Sequence, residues 1–586
     1  MEISQKRVCD IRLGIGDSEL DAEMYNFLLE NNIMHGMNPG LVASREQLAF
    51  MVAMEPEQFY VPCADSVFFD LLRDEFSEDL KNEYRRTWRK TMHILSSLPV
   101  DRETRRRLRT FCRKRMRKVV LFHDTIPSRL MKRLTSVLLS SDGGVSDPWQ
   151  ARRAELTALQ KKVLESAEFR TLLDEMPALP KAGLAETRRA MDRVEFARLA
   201  CLAAHAKSLA IGPGDMDRAR GCLARAEAAF EPVWDRLSCL HNGRHATIML
   251  LCDAQGGALY DLELARFFIE RGHRVIYAVK DDFYFYAPTL ADMREDPVLV
   301  EAMAGAHVCL EANLTKNELL KRLREHRLIV IGDGTRERLN LLRVSVTFAR
   351  AWKEADLVLA HGWRLAETLL GTSHSFTRDI LCFSLPRDRH REGGDTLSVA
   401  FRPHAPSVRK FTEQDLQRHA DGIISGMREA SREGRPVIFY SCIIGSIPGQ
   451  TATALRLANA IVGDIAQRLP NAFIINPAGH FVDGMDGDDL MYMWERVQRS
   501  GFINIWYFQT AEDIERGFEI LGEPMPEVWT GKDATYSTGC TKEMRIALEV
   551  QKRNREMQIL GPDPSFFFRR GEYGVGKYFD ATLVRR

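Results

Sequence analysis

Asp253, Gly256 and Gly257 follow an apolar run over 246–252 and precede a helix-patterned segment over 259–272. In that order, a strand carries a carboxylate out of the carboxyl edge of a sheet, the glycines permit a tight turn, and the helix start offers free N–H groups. A phosphate or a hydrated cation would sit in such a corner, although any buried βα unit can carry Asp and Gly at its turn. Lys280 ends the next apolar run, 274–279, where its charge could neutralise a phosphate; the bland reading is a solvated strand-end lysine.

Four other segments have residue types that chemistry uses. Gly445-Ser-Ile-Pro-Gly449-Gln-Thr451 follows a strand pattern and opens a helix, so it could hold an anion, but it lacks the Gly-Lys-Ser/Thr of a nucleotide-binding loop and a plain βα turn competes. His480 with Asp483, Asp486, Asp488 and Asp489 offers one imidazole and four carboxylates for metal or acid–base work, but Asp488 before Leu490-Met-Tyr-Met-Trp looks like a helix N-cap, which favours capping and solvation. Cys540 sits at an expected helix start, where the dipole favours thiolate, with a structural cap as the alternative. The span 102–118 holds ten Lys or Arg residues, with Asp101 and Glu103 at its start, enough to grip phosphates. Its interleaved Leu108, Phe111, Met116 and Val119 look like a buried stripe, which favours a solvated or subunit-facing helix over a nucleic-acid reader.

The elements that must position these residues change character along the chain. Over 17–235 apolar residues recur at three and four, as in Tyr25, Phe27, Leu28, Leu29 or Val194, Phe196, Leu199, Leu202, so this part is helical. Turn formers interrupt it at 37–40, 140–144 and 212–214. From His245 strands are expected at 246–252, 274–279, 308–310, 328–331, 356–360, 380–384 and 396–401, with helices between them and a polar loop over 386–395. That alternation predicts a Rossmann-like, mostly parallel sheet with helices on both faces. A second α/β region has strands at 436–443, 472–475 and 504–508, a long helix near 541–556 and a tail from 562. The expected domains are therefore a helical region 1–240, an α/β domain 241–405 and a second α/β domain 406–586.

With 45% apolar and 28% charged residues the composition is that of a soluble globular protein, and 586 residues exceed what one core serves. A net charge of +1 gives no global pull toward nucleic acid or anionic lipid, so any such preference must come from a local patch. No signal-peptide core and no long apolar run is visible, so a cytoplasmic location without a membrane partner is expected. The 11 cysteines contain no C-x-x-C pair and read as reduced thiols.

Over 247–403 the order of features resembles the damage-control phosphatase family, a metal-dependent group also labelled with acidic-residue methyltransferase names and formerly a domain of unknown function. Three blocks carry the resemblance. They are Cys252-Asp-Ala-Gln-Gly-Gly-Ala-Leu-Tyr-Asp261, Tyr286-Ala-Pro-Thr-Leu-Ala-Asp292, and Ile329-Val-Ile-Gly-Asp-Gly334 through Ala355-Asp-Leu-Val-Leu-Ala-His-Gly-Trp-Arg364. The last looks like the branch also found fused to pantothenate kinase-like domains.

The resemblance implies hydrolysis of a phosphorylated small molecule with a divalent cation such as Mn, Mg, Ni or Co. The cation would be held by Asp253 and helped by Asp292 and His361, with Gly256, Gly257 and Lys280 around the phosphate. Arg364 and Glu367 match a family Arg and Glu, which implies a phosphate clamp oriented by its own Glu; an ordinary surface ion pair is the alternative. Two expected ligand positions hold Ala254 and Ala287, so the site is either rebuilt or lost. Rebuilding would draw on Asp261, Asp281, Asp282, Asp292, Asp333 and His361, where a His beside an Asp favours a softer cation such as Zn²⁺, Ni²⁺ or Co²⁺. The competing outcome is a ligand-binding or scaffold protein without the metal. Nucleic-acid binding through 102–118 is a third reading that the composition does not favour.

Overall fold

The computed structural model describes residues 7–12, 18–31, 41–55, 58–73, 75–141, 147–175, 183–207, 215–241, 245–252, 254–387, 395–480, 482 and 484–568. Asp253, most of the turn formers at 37–40, 140–144 and 212–214, Asp483 and the tail beyond 568 lie outside them. Two compact units divide the chain, Met1–Ser407 and Val408–Arg586.

In the first unit the strands are β1 (Val52–Ala53), β2 (Thr247–Leu251), β3 (Arg274–Val279), β4 (His307–Cys309), β5 (Leu328–Gly332), β6 (Leu357–His361), β7 (Ser375–Phe376), β8 (Asp379–Ser384) and β9 (Ser398–Arg402). Among the described residues seven of them form one sheet in the order β4-β5-β3-β2-β6-β8-β9. Every neighbouring pair is parallel except β8 and β9, whose register places Ser384 opposite Ser398. The central strands are mostly apolar, with Ile-Met-Leu-Leu in β2 and Val-Ile-Tyr-Ala-Val in β3 wholly buried, because helices cover both faces. β9 is only half-buried, as an edge strand is. The small antiparallel pair β1 and β7, Val52 opposite Phe376, was not legible as strands: two residues carry no period.

The chain moves from β2 to β3 on one side and later returns to β6 on the other. The strand order thus reverses between β2 and β6, where open α/β sheets place their ligands. The helical region expected to end near 240 is no separate domain. One continuous core runs from Val8 through Phe196 and Phe230 to Leu264, Tyr277 and Phe383. Phe196 of the helix Leu184–Ala204 packs edge-on against Phe230, tilted against Phe267 and Phe268, so those helices form one wall of the sheet domain.

The second unit contains β10 (Val437–Ser441), β11 (Phe473–Ile475), β12 (Ile505–Phe508) and β13 (Gln558–Leu560) in the order β11-β10-β12-β13, all parallel. β13 was not expected. Its three residues, Gln-Ile-Leu, alternate in burial at an edge and are too few to carry a strand period.

Candidate functional site

A cavity opens at the carboxyl edge of the central sheet. It is bordered by Cys252 and Ala254 after β2, Lys280 after β3, Asp333 after β5, Arg338 in the loop beyond, and Arg364 after β6. Its volume, about 30 Å³, is that of one or two water molecules. Arg338 also borders a second cavity of about 450 Å³, together with Glu83, Glu367 and Arg387.

Lys280 is buried, not solvated. Its ammonium donates to Asp333 Oδ2 at 2.5 Å, Thr335 Oγ1 at 3.1 Å and the Glu337 carbonyl at 2.6 Å. Three acceptors use all three of its N–H bonds, so it is a strut in the cavity wall with no donor left for a ligand. Burial alone would lower its pKa; the Asp333 carboxylate outweighs that and raises it.

The glycines of the first turn have the backbone the sequence required, with φ of 92° at Gly256 and 108° at Gly257. Protein rather than ligand explains them. A Cβ on Gly256 would lie 2.6 Å from Leu156 Cδ2, and one on Gly257 would lie 2.9 Å from Ala206 Cβ. The start of the helix Ala258–Glu270 is therefore packed beneath the N-terminal helices.

Asp292 and His361, expected as helpers of a cation, are spent elsewhere. Asp292 receives the Arg153 guanidinium on both oxygens, at 2.7 and 3.0 Å, and its Oδ2 also accepts from Thr289 N at 2.8 Å in a capping box at the helix Leu290–Glu295. His361 Nε2 lies 2.8 Å from Asp261 Oδ1, and Asp261 Oδ2 accepts from the Tyr277 hydroxyl at 2.6 Å; the side chains of His361 and Asp261 are wholly enclosed. Neither Asp292 nor His361 borders the cavity, because cap geometry draws one carboxylate to a helix start and the sheet interior encloses the imidazole. The other rebuilding candidates are similarly engaged: Asp281 accepts from Gly334 N at 3.1 Å, Asp282 pairs with Arg336, and Asp333 holds Lys280. Among the described residues no group of three His, Cys, Asp or Glu side chains is arranged to hold a metal ion.

Arg364 borders the cavity with its guanidinium 4.4 Å from the Trp363 ring centroid. Glu367, expected to orient it, pairs instead with Arg338 at 2.7 Å. Arg338 also approaches Glu83 at 3.4 Å, and Glu83 binds Arg86 at 2.9 Å and Arg387 at 2.7 Å. Burial pushes the Glu83 carboxyl up, but Arg338, Arg387, Arg364 and Arg86 together hold it below its ordinary range. Lys90, two turns further along the helix Glu78–Ser97, is lowered to about 7 by burial and by the positive charge of Arg364 and Arg338. Within this cationic cluster the Arg338 Nε is buried with no hydrogen-bond partner among the described residues.

The residues missed from sequence, Glu83, Arg86, Lys90, Arg338 and Arg387, come from a helix of the N-terminal region and from loops. One signal was available. Glu83 lies on the buried stripe of its helix with Leu80, Thr87 and Thr91, and a carboxylate in a buried stripe must have partners.

In the second unit, the helix before which Asp488 was expected as cap begins at Gly487. Its cap is Asp486, which accepts from Asp488 N at 2.9 Å and Asp489 N at 3.0 Å. Cys540 is buried; its Sγ donates to the Cys442 carbonyl at 3.3 Å, and Ser537 caps its helix. Near it, Glu543 accepts from Gln498 Nε2 at 3.0 Å. Burial pushes this carboxyl up to about 7, against hydrogen bonds from Ser441 and Gln498. A carboxyl raised in the fold favours folding most at low pH, and that contribution is lost as pH climbs from the unfolded value toward 7. Glu543→Gln should flatten urea stability between about pH 4.5 and 7 and exceed the parent above pH 7 by up to about 3 kcal/mol. Identical pH profiles would refute this.

No protein-family model and no curated protein matches the chain. Among solved structures, a DUF89 family protein from Pyrococcus horikoshii aligns with 17% identity and a TM-score of 0.36, covering 53% of this chain and 93% of that one. DUF89 is the designation of the damage-control phosphatase family. A likeness of this size carries no functional argument.

Proposed function

We propose that the first unit binds a phosphorylated small molecule through the cationic cluster at the carboxyl edge of its sheet. The observation that carries this reading is Arg338, whose Nε is a buried, unsatisfied donor among the described residues in a wall shared by two cavities. Leaving such a donor unpaired costs about 1–3 kcal/mol, which an anionic acceptor would restore. Arg364 and Lys90 supply further charge, and the larger cavity gives room for the body of the ligand. The smaller one, about 30 Å³, has the volume of one or two water molecules and is too small for a phosphoryl group.

The cation implied by the resemblance does not fit the described side chains. Ala254 and Ala287 offer no donor, Asp292 belongs to Arg153 and His361 to Asp261. Charge neutralisation in this reading is the task of guanidinium groups. Hydrolysis of the bound ester is a second reading, favoured by Asp253 standing in sequence between Cys252 and Ala254, both of which border the cavity.

Calorimetry with phenyl phosphate tests the binding. Arg338→Ala should weaken it by about tenfold or more, and equal affinity would end the proposal. Lys90 adds a pH signature: it is charged below about 7 and neutral above. The affinity ratio of the parent to Lys90→Met should therefore shrink as pH rises from about 6 to 8, a comparison from which the ligand's own titration cancels. For hydrolysis, Asp253→Ala matching the parent in both metal content and rate would exclude it.

A further inference from the structure

The helix Arg102–Phe122 touches the rest of the first unit through a narrow stripe, Leu108, Cys112 and Val119. All ten of its Lys and Arg residues are exposed. The residues that end it are also exposed: Val120 is 46%, Leu121 74% and Phe122 59% accessible. Successive residues turn by about 100° on a helix, so these three apolar side chains ring its end, and His123 stops it in a left-handed conformation with φ of 53°. Arg117 and Lys118 follow about 5 Å behind Leu121 on the axis.

Two neighbours extend this corner. The groove between this helix and Glu78–Ser97, about 990 Å³, is lined by the apolar Trp88, Met116 and Val120 and by Arg85, Arg89, Arg113 and Arg117. The ion pair of Lys118 with Glu30, at 3.9 Å, brings in the end of the helix Ser18–Glu30, where Leu29 is exposed.

We propose that this corner docks on the surface of an anionic lipid bilayer. Val120, Leu121 and Phe122 enter the headgroup boundary while the cations from Arg113 to Lys118 sit at the level of the lipid phosphates. The depth matches, because interfacial helices bury their apolar part about 5–10 Å. Charge complementarity names the occupant: each Lys or Arg near an anionic leaflet adds to the attraction, which is local in a chain whose net charge is only +1. A nucleic acid would satisfy the same cations but leave Leu121 and Phe122 facing a polyanion. No helix among the described residues is long and apolar enough to cross a membrane, so this is docking and not spanning.

The test is co-sedimentation of the full chain with vesicles of phosphatidylcholine, with and without phosphatidylserine. Binding is expected only with phosphatidylserine and should weaken on adding salt. Leu121→Asp with Phe122→Ser, or Arg113→Glu with Arg117→Glu, should reduce it by about tenfold or more. Leu184→Asp, a still more exposed apolar site on another helix, should leave it unchanged. These positions are exposed, so far-UV circular dichroism should match the parent for every variant. Binding to neutral vesicles as well, no vesicle binding, insensitivity to the Leu121 and Phe122 changes, or capture of a single-stranded oligonucleotide in place of vesicles would each overturn the proposal.

Discussion

Asp292→Ala should destabilise the protein by about 3–5 kcal/mol, seen as a large fall in the urea midpoint. The carboxylate sits in a buried ionic network. Arg153 reaches it through Nε and Nη2, spends its remaining donors on Asp147 at 2.5 Å and the Phe285 carbonyl at 3.0 Å, and is itself buried. Removing Asp292 strands much of a guanidinium inside the protein and also strips Thr289 of its capping partner. A second change, Arg153→Met, should recover part of the loss, since taking out both charges costs less than taking out one. A metal ligand would behave differently: its loss would lower metal content and leave stability in metal-free buffer largely intact. Normal stability of Asp292→Ala would refute the network reading.

Lys280→Met should cost a comparable 3–5 kcal/mol, because Asp333 is left buried with a charge that only hydroxyl and amide donors meet. The pH dependence follows from the direction of the lysine's shift. Its folded pKa is raised, so the pair's contribution is complete below the ordinary lysine range and disappears only as pH rises through the higher folded value. The stability gap between parent and Lys280→Met should therefore hold from neutral pH to about 10 and close above it. A gap that closes near pH 7 would mean that the ammonium is not held as described. Phosphate-ester binding measured on the same variant separates strut from clamp: a strut changes stability far more than affinity.

The Arg-rich segment shows where one-dimensional reading turned. Leu108 and Val119 are buried as the apolar spacing suggested, and Cys112 joins them, whereas Phe111 and Met116 are only partly covered and Val120, Leu121 and Phe122 stand in solvent. Nothing in the order Val-Val-Leu-Phe distinguishes the one valine that meets the core from the three residues that do not.

What the sequence by itself determined is local. Continuous Ile, Val and Leu runs bounded by Gly, Asp and Pro can be buried on both faces only in a covered parallel sheet, which is why β2, β3, β5, β6 and β8 stand within a residue or two of expectation. The glycines at 256 and 257 likewise permitted a tight turn, and both have positive φ there. Only the tertiary structure decided which side chains share a cavity. Glu83 and Arg338 are 255 residues apart, and Arg153 and Asp292 are 139 apart. Pairings over such separations depend on which helix packs against which strand end. The strength of a buried charge's demand for a partner can be read from residue type, but the partner's identity is settled by packing.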